Sequence, residues 1–174
     1  MKREINAFDY AGIICKEMPG GILLTTKRGD EVNTMTIGWG HIGIEWGKPI
    51  FVAYVRDSRY TLEMLDATNE FTVNIPYGNV NKQILGYCGT KSGRDVNKIQ
   101  ELNLTLVESD HVAAPGIKEL PITIECKVIY KHKQAVSDIP QDIQSRYYPC
   151  DAQGNADFHY AYYGEIVGAY MIEE

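Results

Sequence analysis

The stretch from Ile50 to Pro76, IFVAYVRDSRYTLEMLDATNEFTVNIP, constrains the fold most, because its hydrophobic period changes twice along its length. Ile50 to Val55 is a run of β-branched and aromatic residues bounded by Pro49 and by Arg56-Asp57, which reads as a strand of a packed sheet. Leu62, Met64 and Leu65 then fall at helical spacing, with Glu63 and Asp66 on the other face and Asp57 or Ser58 at the N-cap position. Phe71 to Pro76 returns to a strand. A short amphipathic helix therefore starts at RDSRYT, Arg56 to Thr61, between two strands.

The start of that helix is also the first place where chemistry is legible. The first turn of a helix presents unpaired N–H groups and a partial positive charge, and Arg56, Ser58, Arg59 and Thr61 add two cations and two hydroxyls to it. That is a seat for a phosphate. The same residues equally suit plain capping by Ser58 and Thr61 flanked by solvated arginines, and the turn alone does not choose between the two.

At 174 residues the chain suits one domain, 1–174, with a real core. Its net charge of -6 opposes a nucleic-acid surface. No apolar run is long enough to span a bilayer, and residues 1–20 lack the charged start and apolar centre of a signal peptide, so a cytoplasmic protein without membrane or nucleic-acid partners is expected. Cys15, Cys88, Cys126 and Cys150 are scattered with no C-x-x-C pair, which predicts reduced thiols. His41, His111, His132 and His159 show no ligand spacing, so no metal site is expected.

The remaining chain reads mainly as strands. Gly20 to Lys27 and the run VNTMTIGWG from Val32 form a hairpin about the turn Arg28 to Glu31. Glycines 38, 40 and 43 in the second strand fit either a flat ligand lying on its backbone or bulges at barrel corners. Asn79 to Cys88 reads as a helix broken by Gly86 and Gly89, and the loop GTKSGRDVNK after it carries Lys91, Arg94 and Lys98, a second cluster of cations and donors. The loop lacks the Lys-Ser/Thr ending of a P-loop, which excludes a nucleoside triphosphatase. Pro121 to Lys131 and Phe158 to Met171 alternate as barrel strands, with a short helix at Pro140 to Tyr147 and a polar excursion around Cys150 between them. Six or seven strands that do not alternate with helices pack antiparallel, and closing them into a small barrel removes their edges.

There is no G-x-S-x-G elbow, no H-E-x-x-H and no catalytic carboxylate pair. Two sets of anion donors, a glycine-bearing strand and twelve tyrosines suit instead a planar phosphorylated cofactor that carries the chemistry itself. Trp39, Trp46, Tyr54 and Tyr60 are candidates to flank its ring, although an aromatic is more often core than cofactor wall.

Five motifs in one order, N-T-M-T-I-G-W from Asn33, R-D-S-R-Y-T from Arg56, F-T-V-N-I-P from Phe71, S-G-R-D-V-N-K from Ser92 and H-Y-A-Y-Y-G-E-I-V from His159, resemble the flavin reductase-like, FMN-binding split-barrel family, and within it the flavoredoxin group. The resemblance covers nearly all of the chain from Pro19 onward. It implies a mainly β fold, an antiparallel split β-barrel of Greek-key type with short inserted helices, that binds FMN non-covalently near a homodimer interface. It assigns the ring edge to Asn33, Thr34, Met35 and Thr36, the phosphate to Arg56, Ser58, Arg59, Tyr60 and Thr61, and the wider cofactor region to Ser92 and Lys98; Lys98 equally suits a pair with Asp95. Asn97 stands where the family pattern is acidic, and the segment from Ser137 to Asp157 is longer and more polar than that pattern. His159 reads as a donor near the ring or as a structural histidine, and Cys88 as a buried thiol.

The expected function is that of a flavoprotein reductase or electron carrier, moving electrons from NAD(P)H or a redox partner through FMN to a small acceptor or partner protein. No G-x-G-x-x-G follows a strand, so a nicotinamide cofactor has no domain of its own. The alternative is a split-barrel protein that binds FMN or another flat ligand without turnover.

Overall fold

The computed structural model describes residues 1–173. Among them, ten strands and five α-helices follow one another as β1 (Lys2–Glu4), α1 (Ala11–Glu17), β2 (Ile22–Arg28), β3 (Glu31–Ile37), β4 (Gly40–Glu45), β5 (Lys48–Arg56), α2 (Tyr60–Thr68), β6 (Glu70–Ile75), α3 (Gln83–Thr90), α4 (Lys98–Glu101), β7 (Leu106–Val107), β8 (Gly116–Ile117), β9 (Ile122–Lys133), α5 (Gln141–Tyr147) and β10 (His159–Ile172). Seven strands form an antiparallel sheet in the order β3-β2-β6-β9-β10-β5-β4, with β1 added to β10, while β7 and β8 pair separately.

The period-two alternation of β2 places it between two cores. Ile22 and Leu24 enter the larger one with Phe51, Phe71, Val73, Ile124 and Tyr162, and Leu23 faces outward onto Ile84, Leu85 and Cys88 of α3. Full burial of an aromatic such as Phe51 or Phe71 contributes about 1.5–3 kcal/mol each, so the inner core is the main support of the curled sheet. Gly164 is part of that packing. A Cβ there would lie 2.6 Å from Cζ of Phe71, and the β9–β10 register shifts beside it, between Tyr163 and Gly164.

The sheet curls until its end strand β3 lies against β5, the neighbour of the other end strand, yet no ladder joins them. This leaves a split barrel whose mouth is the edge of β3. Helix α3 is laid directly on that strand. A Cβ at Gly89 would meet Cβ of Thr36 at 3.3 Å, and Thr36 Oγ1 donates to the Leu85 carbonyl at 2.6 Å. Glycine in α3 thus sets a helix-to-strand distance and does not break the helix.

Several elements differ from the sequence reading. The run VNTMTIGWG is not one strand: β3 stops at Ile37 and β4 begins at Gly40, where a Cβ would lie 2.8 Å from the Val52 carbonyl oxygen. Close packing accounts for Gly40, whereas Gly43 has open space beside it. Helix α3 starts at Gln83, not Asn79, because the Asn81 side chain accepts the Gln83 N–H, and it continues through Gly86 and Gly89 to Thr90. Pro49 lies inside β5, opposite Ile44 and beyond the end of the β10 ladder, where its missing donor is harmless. The SGRDVNK loop ends in α4, capped by Asn97, whose side chain accepts the Gln100 N–H.

Candidate functional site

Two cavities lie along the split. One, of about 150 Å³, is walled by Met35 to Trp39, by Tyr54 and Arg56 of β5, and by His159 at the start of β10. The other, of about 240 Å³, lies between Asn33, the start of α2 and the loop from Lys91 to Arg94. Met35 and Arg59 line both, so the two form one trough along the edge of β3.

The trough brings together most of the residues expected from the sequence. Asn33 is buried at its floor and donates from Nδ2 to Thr61 Oγ1 at 2.9 Å, which fixes β3 against the start of α2. Gly93 crosses that floor closely, since a Cβ there would come within 2.2 Å of Asn33 Oδ1. Met35 and Thr36 face the trough, but the Thr34 side chain does not: its hydroxyl is buried against Thr25 Oγ1 at 2.9 Å, leaving only the Thr34 main chain at the edge. As the terminal strand of the sheet, β3 keeps one edge of its backbone free of ladder bonds, as a planar heterocycle with amide-like edges requires.

The turn RDSRYT takes a different form from the one expected. Arg59 and not Asp57 or Ser58 is the N-cap residue of α2, and no side chain caps the helix. The Ser58 donors are drawn elsewhere: its N–H and Oγ both donate to the Asp157 carboxylate, at 3.0 and 2.7 Å. Arg56 donates to the carbonyls of Asp157 and Tyr147, at 2.7 and 3.0 Å, so it fastens the polar excursion to the barrel. Asp57 sits 3.4 Å from Lys133. Arg59 is exposed, and none of the hydrogen bonds or ion pairs among the described residues engages its guanidinium.

The second cluster lines the same cavity: Lys91, Ser92, Arg94 and Lys98 all border it, with Arg94 over the Tyr60 ring and held by the Ser58 carbonyl at 3.0 Å and by Glu63. Lys98 pairs with no carboxylate. It is 4% exposed, and its Nζ donates to the carbonyls of Thr34 at 2.9 Å and Cys88 at 3.1 Å. Burial, more than the neighbouring Arg59 charge, holds its pKa below the ordinary lysine value.

Among the aromatic candidates, Trp39 and Tyr54 wall the trough and Tyr60 closes its other end, beside the start of α2, its hydroxyl bonded to Glu31 at 2.5 Å and to Arg28 at 2.9 Å. Trp46 does not reach it. With φ 52 it sits in the β4–β5 turn against Tyr130 and Tyr163. The Trp-Gly pair 46–47 is a left-handed hairpin turn, a signal that competed with the reading of Trp46 as a wall.

His159 is a structural histidine at the edge of the trough. Its Nδ1 is 2.9 Å from the Tyr148 hydroxyl, which donates to Gln134 Oε1 at 2.8 Å; the hydroxyl therefore accepts from Nδ1–H, and Nε2 is left as an acceptor. Burial, aided by the Arg56 and Arg59 charges, brings its pKa down to about 4, so the ring is neutral at neutral pH and no ready proton source. Burial likewise pushes the Cys88 thiol up to about 11, which leaves it un-ionised and unreactive. The sequence reading missed Asp157, Tyr147 and Tyr148, because the segment that carries them has no hydrophobic period to place it against the barrel.

A model of the flavin reductase like domain family matches residues 16–174. The chain is 34% identical over 100 residues to an uncharacterized protein of Archaeoglobus fulgidus, covering 58% of this chain and 55% of that relative. The match thus spans little more than half the length of that relative. Among solved structures it is similar to flavoredoxin from Methanosarcina acetivorans, with TM-score 0.66 and 26% identity, covering 88% of this chain and 68% of that one. It is also similar to flavoredoxin of Desulfovibrio vulgaris (Miyazaki F), with TM-score 0.64 and 25% identity, covering 88% and 69%.

Proposed function

Because the chain belongs to the flavin reductase-like family, whose domain spans residues 16–174, we propose that it is an FMN-binding redox protein, a reductase or electron carrier of the flavoredoxin kind. The observation that carries this reading is the shape of the trough: an open strand edge beside Trp39 and Tyr54 at one end, and Arg59 beside the uncapped start of α2 at the other. A ring with a hydrogen-bonding edge fits the first end and a phosphate the second.

Bound there, FMN would supply the two-electron chemistry that no side chain of the trough offers. Met35 and the Thr36 main chain would hold the ring edge, Asn33 would form the floor between ring and phosphate, and Ser58, Arg59, Tyr60, Thr61 and Ser92 would surround the phosphate. Lys98 would act from behind, by fixing the Thr34 carbonyl. His159 and Trp39, with ring centroids 4.7 Å apart, would shape the wall and keep a neutral acceptor nitrogen beside it.

The physiological donor is NAD(P)H or a redox protein, and one experiment addresses the reading. The apoprotein is reconstituted with FMN and mixed anaerobically with NADH or NADPH while the flavin absorbance is followed. Bleaching faster than that of free FMN is the expected result. Firm FMN binding without faster bleaching by either nucleotide would favour a carrier fed by a protein or a binding protein without turnover. Failure to bind FMN at all would overturn the proposal.

A homodimer is part of the same reading. Ile44, Trp46, Ile129 and Tyr130 are exposed hydrophobics, with Trp46 and Tyr130 packed on each other, on the face beside the free edge of β4. A partner subunit would cover that surface. Light scattering should give twice the chain mass for the native protein and a falling mass for Trp46→Glu. A monomeric mass for the FMN-loaded native protein at micromolar concentration would sink this part of the proposal.

A further inference from the structure

The segment after α5 returns a carboxylate to the start of α2. Asp157 takes both the N–H and the Oγ of Ser58, at 3.0 and 2.7 Å, in the geometry in which two phosphate oxygens would take them. A carboxylate here plays the part of an internal anion, placed where the uncapped helix start favours negative charge.

The same residue anchors a larger unit. Arg56 grips the Asp157 carbonyl and the Tyr147 carbonyl at the end of α5, the Asp57 N–H donates to the Phe158 carbonyl at 2.8 Å, and the Tyr147 ring lies edge-on to Trp39 with centroids 5.1 Å apart. The Ser58–Asp157 pair is exposed and therefore the readily exchanged member of this set, whereas the Arg56 bonds are partly buried.

Resting on the FMN reading above, we propose that Asp157 determines specificity at the phosphate end of the trough: its carboxylate competes with the ligand phosphate for the donors of Ser58. A phosphorylated flavin binds by displacing that carboxylate, and the segment from Gln141 to Asp157 loosens in step. An unphosphorylated flavin leaves the carboxylate in place. The coupling is reciprocal, so weakening the internal anion strengthens the external one.

The test uses the apoprotein and its Asp157→Asn and Asp157→Ala variants, with Kd for FMN and for riboflavin read from quenching of flavin fluorescence. Asparagine keeps the size and one acceptor but removes the charge, so it guards against loss of fold. Both variants should bind FMN about three- to thirty-fold more tightly, with riboflavin changed less than about two-fold. Hydrogen exchange adds a readout independent of turnover: in the native protein FMN should raise exchange over residues 141–157 and riboflavin should not.

Weaker or unchanged FMN binding in both variants, with native protein that prefers FMN to riboflavin, would overturn the role of Asp157 and leave the FMN reading standing. Native protein that binds neither flavin, or binds both alike, would sink the placement of the phosphate and the Asp157 proposal with it.

Discussion

Arg59→Ala should weaken FMN binding roughly ten- to a hundred-fold while changing riboflavin affinity less than about three-fold, because a charge-assisted hydrogen bond to phosphate contributes about 1.5–3 kcal/mol. The fold should not suffer. The guanidinium is exposed and holds no partner among the described residues, so its loss leaves no buried group unsatisfied. Arg56→Ala should behave differently, although the two arginines are near neighbours in sequence. Arg56 binds two main-chain carbonyls of the excursion, and removing it should disturb the Tyr147–Trp39 wall that both flavins share, while the loosened Asp157 offsets part of that loss for FMN, so riboflavin should weaken at least as much as FMN. Fluorescence titration of both ligands against both variants checks the contrast. Equal losses of FMN and riboflavin in Arg59→Ala would move the phosphate away from Arg59.

This contrast marks where sequence reasoning reached its limit. The strand of β5, the helix after it and the strand of β6 were legible because burial imposes a period of two or of 3.6, and Val55, Leu65 and Phe71 follow it. The antiparallel packing was legible because the strands do not alternate with helices, and Asn33, Met35, Ser58, Arg59, Thr61 and Ser92, singled out from the sequence, do line one cavity. What each polar side chain does was not legible. Arg56 and Arg59 look alike in a sequence; one is committed to carbonyls and the other is free for a ligand, and only the path of the residue 137–157 excursion decides which. That path follows from hydrogen bonds such as Asp157 to Ser58, which have no periodic signature. Close backbone approaches were equally hidden. Gly89 in α3 reads as a helix breaker and Gly93 as one residue of a cationic, donor-bearing loop, yet each clears a neighbour on β3, Thr36 in one case and Asn33 in the other.

Lys98→Met should lower stability by on the order of 2–4 kcal/mol and weaken FMN and riboflavin by similar factors. Methionine preserves the length and bulk of the lysine stem, so the change removes the ammonium and not the packing. What it leaves are the carbonyls of Thr34 and Cys88, which lose a donor in a closed space, and each unsatisfied buried group costs about 1–3 kcal/mol. These two bonds tie the edge strand β3 to the end of α3. Their loss should let the floor of the trough shift under the ring end, which both flavins share. Urea denaturation of the apoprotein gives the stability change, and the two flavin titrations give the binding change. If Lys98→Met instead left the urea midpoint in place and weakened FMN alone, the ammonium would be acting on the phosphate across the trough and its hold on Thr34 would be incidental.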